Sequence, residues 1–496
     1  MNNVIEYLLH SADIHPDKVA FEDEKRSITF GELRESCKSA ATYIHQILGD
    51  TYNQPLAIYM EKSVECIIAA MGIVYSGNFY TPIDKNSPRE RVHKILKTLE
   101  PIAIIYNHSE EILEGNWKNI KLDDTKQNIA DGQWYRNICD IDPVYVLFTS
   151  GSTGIPKGVV ISHRSVIDYA EWLTNTFHFN EETIFGNQAP FYFDNSVLDI
   201  YSTLKNTSTM YIIPESYFVF TGKLISYLEE KKINTIFWVP SALITLANSE
   251  AFAKAELFHL KSILFCGEVM PNKCLNILRR KMPDTMYANL YGPTEITDVC
   301  SFYIVNREFR DEEPLPIGYP CNNTQIIVLN ECNKLVERDE IGELCVKGSC
   351  LSMGYYRNSE KTKEVFVQNP LNDKYMETIY RTGDLVKYNR NGELVYVGRK
   401  DYQIKHQGHR IELGEIETAA NAVDGVSKSC ALYNDIQKKI ILFCEGNKAV
   451  ITEKQIYKEI KEKIPHYMLP AKINVMERLP LNVNGKIDRV KMKEEL

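Results

Sequence analysis

The chain has no CxxC pair, although it contains 12 cysteines among its 496 residues. The two that lie closest together are Cys345 and Cys350. Zinc knuckles and thiol redox motifs use cysteines paired at a shorter spacing, so the sequence signals neither kind of site. We expect reduced and mostly buried thiols.

An excess of positive charge is also lacking, because 57 basic residues stand against 66 acidic ones and the net charge is −9. This balance argues against nucleic acid or an anionic membrane as the main partner. No stretch approaches the ~18 apolar residues of a membrane span, and the amino terminus carries only short apolar runs, so the sequence predicts no membrane insertion and a cytoplasmic protein. With 44% apolar and 25% charged residues, the chain has ample material for two or more domains.

Two periodicities divide the chain. Between about residues 28 and 240, amphipathic helix-like segments such as 30–45 alternate with short β-branched runs such as 102–106, which predicts α/β layers. Short strands separated by turn residues then predict a β-rich subdomain, and a helical pattern returns near 414–422. The short strands are 325–329, 342–348 and 392–398.

A domain boundary is predicted at 398–401, a short polar segment with a glycine before it and a new strand, 402–405, after it. The predicted fold is therefore α/β, with a large N-terminal domain of α/β layers and a β-rich subdomain over residues 1–398. A small α+β domain covers residues 399–496.

The most informative stretch reads LFTSGSTGIPKG at 147–158. Its glycines allow a close backbone approach to phosphate oxygens, its hydroxyls are donors, and Lys157 supplies a cation. A short apolar run at 144–148 precedes it, so the loop would leave the carboxyl end of a buried strand, where open α/β sheets bind ligands. Lys157 is not followed by Ser or Thr, which disfavours a P-loop ATPase, and a generic cluster of this composition is a solvated turn. The loop residues we single out are Thr149, Ser150, Gly151, Ser152, Thr153, Gly154 and Lys157.

Two further clusters read NLYGPTE at 289–295 and YRTGD at 380–384. With the glycine-rich loop, in this order, they resemble the adenylate-forming superfamily of acyl-CoA synthetases, peptide-synthetase adenylation domains and luciferases. The resemblance covers nearly the whole chain, from SITFGEL at 27–33 to NVNGKIDR at 482–489. It implies a two-step ligase. A carboxylate attacks the α-phosphate of ATP to give an acyl-adenylate and pyrophosphate, and a thiol then takes the acyl group and releases AMP.

The resemblance also implies roles for single residues. Lys157 and the loop hydroxyls would hold the β- and γ-phosphates, and Tyr291 would stack near the adenine. Thr294 would touch the α-phosphate and Glu295 would ligate Mg²⁺. Asp384 would accept hydrogen bonds from the ribose hydroxyls, with Arg399 also near the nucleotide.

Three positions belong to the predicted small domain. Lys486 would place its ammonium between the substrate carboxylate and the α-phosphate, where negative charge builds up, so it is the residue expected to carry adenylation. Taken alone, a lysine in an Asn-Gly turn is a solvated surface residue. Asp401 matches the hinge about which this mobile domain would rotate between the half-reactions, and Gly408 would border the tunnel for the thiol.

An amino acid is the substrate class that the resemblance favours. Amino-acid-activating members carry an aspartate in a Phe-Asp-x-Ser motif that pairs with the α-ammonium, and Phe193 and Asp194 supply it here. A paired carboxylate offsets the desolvation of that ammonium in a partly dry pocket. Asp194 is equally suited to cap the helix that follows, and both roles are compatible.

The segments 187–194, 265–269 and 403–405 resemble those of the D-alanine:D-alanyl carrier protein ligases. In that family a cysteine at the position of Cys266 shapes a small pocket. D-Alanine is therefore the leading candidate. Asp298 is a departure, because that family has a small apolar residue there. It would bind a hydroxyl or ammonium on a longer side chain, or turn into solvent. The other pocket positions taken from the resemblance are Asn195, Leu198, Phe237, Leu264, Leu290 and Val299.

The expected acceptor is the phosphopantetheine thiol of a separate carrier protein, because the chain ends soon after the Lys486 motif; free coenzyme A is the runner-up. There are four other interpretations. A stand-alone nonribosomal-peptide adenylation enzyme would take a hydroxyl- or ammonium-bearing amino acid. An acyl-CoA synthetase is disfavoured by Asp194, and a luciferase-like monooxygenase has no signal of its own. A binding protein without catalysis would not require Lys486.

Overall fold

The computed structural model describes residues 1–107, 112–123, 132–151, 154–434, 436–448, 450–481 and 487–494. The helices are α1 (Ile5–Ile14), α2 (Phe30–Leu48), α3 (Val64–Tyr75), α4 (Arg89–Leu99), α5 (His163–Phe177), α6 (Asn195–Asn206), α7 (Glu215–Val219), α8 (Thr221–Glu230), α9 (Pro240–Ala247), α10 (Glu250–Lys254), α11 (Asn272–Lys281), α12 (Ser359–Val365), α13 (Leu413–Asn421), α14 (Glu453–Lys461) and α15 (Arg489–Lys493).

The strands are β1 (Val19–Glu22), β2 (Ser27–Thr29), β3 (Pro55–Ile58), β4 (Phe79–Pro82), β5 (Ala103–Tyr106), β6 (Lys118–Lys121), β7 (Pro143–Thr149), β8 (Lys157–Ser162), β9 (Ile184–Asn187), β10 (Thr209–Ile212), β11 (Thr235–Trp238), β12 (Ser262–Phe265), β13 (Met286–Tyr291), β14 (Ser301–Ile304), β15 (Tyr319–Pro320), β16 (Thr324–Leu329), β17 (Gly342–Gly348), β18 (Phe366–Gln368), β19 (Thr378–Tyr388), β20 (Leu394–Arg399), β21 (Gln403–His406), β22 (His409–Glu412), β23 (Lys428–Asn434), β24 (Lys439–Glu445) and β25 (Lys472–Met476).

The chain divides into two compact units. The first contains residues 1–83, 100–147 and 158–400, and the second contains residues 84–99, 148–157 and 401–496. The division after residue 400 lies two residues beyond the boundary predicted from the sequence. Two short segments from the N-terminal part, one of them most of the glycine-rich loop, group with the C-terminal residues, which the sequence pattern does not signal.

The first unit contains two largely parallel sheets and one antiparallel sheet. The largest sheet has the strand order β15-β14-β13-β12-β11-β9-β10-β1-β2, parallel from β13 through β1, with antiparallel strands at both edges. The second has the order β6-β5-β3-β4-β7-β8. Its inner strands β3, β4 and β5 are buried along their whole length, as expected of parallel strands covered on both faces.

Local sequence explains how the covering helices begin. Thr29 and Glu32 form a reciprocal capping box at the start of α2, which satisfies two backbone donors of the first turn. The apolar faces of α1, α2, α3, α5 and α6 share one buried cluster with residues of both parallel sheets. The antiparallel sheet, β16-β17-β19-β18 with β20 paired to β19, has its own buried cluster.

The second unit contains a hairpin and a small mixed sheet. Strands β21 and β22 pair antiparallel, and their two-residue turn at Gln407 and Gly408 has positive φ at both positions, which is the geometry of a tight hairpin turn. The other sheet has the order β23-β24-β25 and packs its apolar face against α13 and α14.

These elements confirm the predicted α/β fold, with its large N-terminal part, β-rich subdomain and smaller α+β part. The segment 30–45 lies inside α2, 144–148 inside β7, and 402–405 overlaps β21. All twelve cysteines are free thiols and ten of them are buried, as expected; Cys139 and Cys332 are exposed. Within the described ranges, none of the helices has both the length and the apolar character needed to cross a membrane.

Candidate functional site

Several residues predicted to line the substrate pocket lie at the carboxyl edge of the largest sheet. Parallel strands β9, β11 and β12 run side by side, and their register aligns Asn187, Phe237 and Leu264 in one row across the sheet. This edge is where open α/β sheets place their ligands. The predicted apolar lining residues are all buried in the same hydrophobic cluster: Leu198, Phe237, Leu264, Cys266, Leu290 and Val299. Phe193 and Asn195 are partly buried.

Asp194 has two roles at the start of α6. It is the N-cap residue, and its side chain accepts a hydrogen bond from the Asn195 backbone N–H at 3.1 Å. Its other oxygen, Oδ2, accepts a hydrogen bond from the Thr294 hydroxyl at 2.5 Å. The structure thus brings together the residue expected to bind the ammonium and the residue expected to touch the α-phosphate, which are separated by 100 positions in the sequence.

Asp298 does not turn into solvent, because it is only 1% exposed. Its Oδ2 accepts a hydrogen bond of 2.6 Å from the hydroxyl of Tyr169 on α5. Burial and the neighbouring Asp298 carboxylate raise the pKa of Tyr169 well above its ordinary value, so the phenol stays a donor. Asp298 and the preceding Thr297 both have positive φ, a conformation rare for residues other than glycine and often found at functional sites.

Glu295 is fully buried in the turn that follows β13. Its Oε1 accepts a hydrogen bond from the Tyr355 hydroxyl at 2.7 Å, and its backbone carbonyl accepts one from Ser352 N–H. The carboxylate is therefore held in a fixed orientation. Elsewhere in the described ranges, no group of three or more His, Cys, Asp or Glu side chains is arranged to hold a metal ion.

Asp384 collects two donors at the centre of the antiparallel sheet. It lies opposite Arg399 in the pairing of β19 with β20, and Arg399 donates to its Oδ1 at 2.8 Å. The hydroxyl of Tyr291 donates to Oδ2. Three residues expected to surround one nucleotide thus form one hydrogen-bonded group, in which burial and the Asp384 carboxylate raise the pKa of Tyr291.

In the second unit, the glycine-rich loop is hydrogen-bonded to the β21–β22 hairpin. The Ser150 hydroxyl donates to the Arg410 carbonyl at 2.8 Å and accepts from the Glu412 N–H at 3.2 Å. The Lys157 ammonium lies 3.4 Å from Glu412 Oε1, and each of these two side chains is 12% exposed. The amide of Gln403 donates to the same carboxylate oxygen at 2.7 Å.

Glycine is required at two positions of this loop. A Cβ on Gly151 would lie 2.0 Å from the Ile155 carbonyl oxygen, and Gly154 has a φ of +74° and lies against Thr418. Thr149 donates weakly to the Lys157 carbonyl at 3.5 Å. Ser152 and Thr153 lie outside the described residues.

Of the remaining predicted positions in the second unit, Asp401 begins its longest segment, 401–496, and Gly408 lies in the hairpin. The Asp401 carboxylate accepts a hydrogen bond from Gln403 N–H at 3.2 Å, and Gly408 forms the hairpin turn. Lys486 lies outside the described residues.

Sequence reasoning missed the residues that hold these side chains. Tyr169, Tyr355 and Glu412 each contact a predicted site residue but lie outside the recognised motifs. Of the three, only Glu412 lies close to a predicted position, since it follows Gly408 by four residues.

The family model described as AMP-binding enzyme matches residues 8–356. A D-alanine–D-alanyl carrier protein ligase from Staphylococcus epidermidis is 33% identical over 509 aligned positions, which cover all of this chain and 99% of the relative. A mycosubtilin synthase polypeptide from Bacillus subtilis is 32% identical over 96% of this chain, which spans only 18% of that relative.

Among solved structures, the artificially fused adenylation–PCP di-domain NpsA-ThdA from Klebsiella oxytoca has a TM-score of 0.84 and 22% identity, covering 96% of this chain and 94% of its own. At this identity the likeness shows the fold alone. The predicted enzyme class, an AMP-forming ligase, is confirmed by the family model and by the full-length relative. The chain belongs to the AMP-binding enzyme family.

Proposed function

We propose that the protein activates an amino acid with ATP to an aminoacyl-adenylate and transfers the aminoacyl group to the phosphopantetheine thiol of a separate carrier protein. D-Alanine is the leading candidate for the amino acid. The observation that carries the proposal is the hydrogen bond between Asp194 and Thr294, which joins the proposed ammonium site to the proposed α-phosphate site. The full-length relative named as a D-alanine–D-alanyl carrier protein ligase supports it.

Asp194 binds the α-ammonium of the substrate in this proposal. The Thr294 hydroxyl and the Asn195 N–H orient the carboxylate. An ammonium entering the largely apolar surroundings would lose its hydration, and a fixed carboxylate offsets that loss. A fatty or aryl acid brings no cation to this position.

The nucleotide is assigned to the loop and to the Asp384 group. The β- and γ-phosphates are held by Lys157, Ser150 and the remaining loop hydroxyls. Asp384 accepts hydrogen bonds from the ribose hydroxyls, and Tyr291 stacks near the adenine. The hydrogen bond from Arg399 orients the Asp384 carboxylate as an acceptor. Lys486 stays the proposed catalytic residue, Asp401 the proposed hinge and Gly408 the proposed border of the thiol tunnel.

Glu295 fits the requirements of a Mg²⁺ ion. Magnesium bound with a nucleotide uses one or two carboxylates together with phosphate oxygens, so a set of three protein ligands is not needed. The Glu295 carboxylate is buried and oriented by Tyr355. Bound there, the ion would spread the negative charge of the phosphates.

A second candidate is a nonribosomal-peptide adenylation enzyme for an amino acid with a hydroxyl or ammonium on its side chain. The buried Asp298 carboxylate favours it, since a carboxylate facing only a methyl group would be costly. The Tyr169 hydroxyl supplies one partner within the protein and thereby reduces that cost, which keeps D-alanine in first place. An acyl-CoA synthetase ranks third.

An ATP–pyrophosphate exchange panel tests these alternatives. It should contain both enantiomers of alanine, serine, the cationic amino acids, and simple fatty and aryl acids. We expect exchange with D-alanine above all other substrates. Exchange confined to serine or a cationic amino acid would establish the second candidate, and exchange confined to acids without an ammonium would refute amino-acid activation.

A further inference from the structure

A series of largely buried polar side chains connects residues on either side of Asp194 in the sequence, the residue proposed to bind the ammonium. The Lys62 ammonium donates to Asn187 Oδ1 and to the Gln188 carbonyl, both at 3.1 Å. The other end of the Asn187 side chain, Nδ2, donates to Asp199 Oδ2 at 2.7 Å. Three side chains from three separate parts of the first unit are therefore connected in series.

These hydrogen bonds connect the residues at the two ends of one segment. Asn187 is the last residue of β9 and Asp199 lies on α6, so their hydrogen bond ties the strand to the helix on either side of residues 188–194. Lys62 holds the first carbonyl of that segment, and Asp194 is its last residue. The position of Asp194 thus depends on contacts at both ends of the segment.

Because these groups are buried, losing one of their hydrogen bonds would be costly. Asn187 and Asp199 are both 0% exposed, and Asp199 Oδ1 has no hydrogen-bond partner among the residues that the structure describes. Burial raises the pKa of Asp199 to about 8, against the opposing effects of Asn187 and Lys62. Burial likewise lowers the pKa of Lys62 to about 8, while Glu215 and Asp199 oppose that shift.

We propose that Lys62, Asn187 and Asp199 form a positioning relay that fixes residues 188–194, and through them the Asp194 carboxylate, for binding of the substrate ammonium. The inference rests on the proposed function. The relay residues do not touch the substrate; they act through Asp194.

The test compares Lys62→Met, Asp199→Leu and Asp199→Asn with the parent protein in pyrophosphate exchange. Lys62→Met and Asp199→Leu should raise the amino-acid KM about tenfold, since each removes a hydrogen bond to a charged or strongly polar buried group, while the Kd of ATP changes less than about twofold. Asp199→Asn keeps an oxygen acceptor for Asn187 and resembles the protonated acid, so it should retain a KM within about twofold of the parent. The matched control is Lys205→Met. Lys205 lies near the C-terminal end of α6, the helix that carries Asp199, and the change removes its ion pair with Glu171.

A second measurement does not need activity. Hydrogen exchange of the amides in 188–194 should be faster in Lys62→Met and Asp199→Leu than in the parent and the control, because a segment released at its ends opens more often. Unchanged hydrogen exchange of the amides in 188–194 would overturn the relay. An equal rise in the amino-acid KM and the ATP Kd would also overturn it. Absence of pyrophosphate exchange by the parent with every amino acid would instead refute the proposed function, and the two failures are thus separable.

Discussion

The predicted site carboxylates of the first unit and three glutamates of the second unit are held differently. In the first unit each predicted site carboxylate accepts a hydrogen bond from a neutral hydroxyl. The pairs are Asp194 with Thr294, Glu295 with Tyr355, Asp298 with Tyr169 and Asp384 with Tyr291. In the second unit three glutamates are paired with cations. These pairs are Glu412 with Lys157, Glu415 with Arg91 and Glu417 with Arg489.

The difference separates orientation from neutralisation. A hydroxyl fixes the direction of a carboxylate but leaves its charge to attract a cationic ligand, whereas an ion pair cancels most of that charge within the protein. Asp384 is held in both ways, because it accepts a hydrogen bond from the Tyr291 hydroxyl and also pairs with the Arg399 guanidinium. We infer that the predicted site of the first unit keeps acidic groups ready for ligands, and that Glu415 and Glu412 of the second unit fasten its segments 84–99 and 148–157.

The largest expected effect concerns the buried ion pair of Arg91 with Glu415. Both side chains are almost fully buried, so Arg91→Met leaves an uncompensated carboxylate and should lower the free energy of unfolding by about 3–5 kcal/mol. Urea denaturation measures the loss. The double variant Arg91→Met with Glu415→Leu should recover most of it, because no charge then remains buried; a double variant as unstable as the single one would contradict the ion-pair explanation.

The next effect tests the charge that the first unit is inferred to keep. Asp194→Ala should reduce the kcat/KM for the amino acid in pyrophosphate exchange by about two to three orders of magnitude, the cost of leaving a desolvated ammonium unpaired. Asp194→Asn should lose nearly as much, although it keeps an acceptor for Thr294. If Asp194→Asn retained the parental rate, orientation alone would explain the site and the distinction between the two units would fail.

The sequence predicted the fold class and the elements at 30–45 and 144–148, because such elements depend on local patterns. The run at 144–148 and the helix pattern at 30–45 need no information about distant residues. The hydroxyl donors are another matter: Tyr169 reaches Asp298 across 129 positions and Tyr355 reaches Glu295 across 60. Only the folded sheets bring these pairs together, so a single sequence contains no signal for them.

A smaller effect measures what one hydroxyl contributes. Tyr169→Phe removes the donor to Asp298 and should lower the free energy of unfolding by about 1.5–3 kcal/mol, the range for a hydrogen bond to a charged group. Tyr145→Phe is the matched control, because the Tyr145 hydroxyl is also buried but has no hydrogen-bond partner among the described residues. Its loss should change stability by less than about 0.5 kcal/mol. Equal losses in the two variants would mean that the hydroxyl does not hold the carboxylate.

The smallest expected effect concerns the pair of Lys157 with Glu412, which is partly accessible and relatively long at 3.4 Å. If Lys157 holds phosphates, Glu412 competes with them for the same ammonium, and Glu412→Gln should tighten ATP binding by roughly threefold to tenfold, the scale of a weak ion pair. Isothermal titration with ATP and Mg²⁺ measures the Kd, and Glu453→Gln, an exposed change of the same net charge on α14, is the control. Weaker ATP binding in Glu412→Gln would mean that the glutamate places Lys157 for the nucleotide instead of competing for it, and the ion pairs of the second unit would then serve ligand binding as the hydroxyl-held carboxylates of the first are proposed to do.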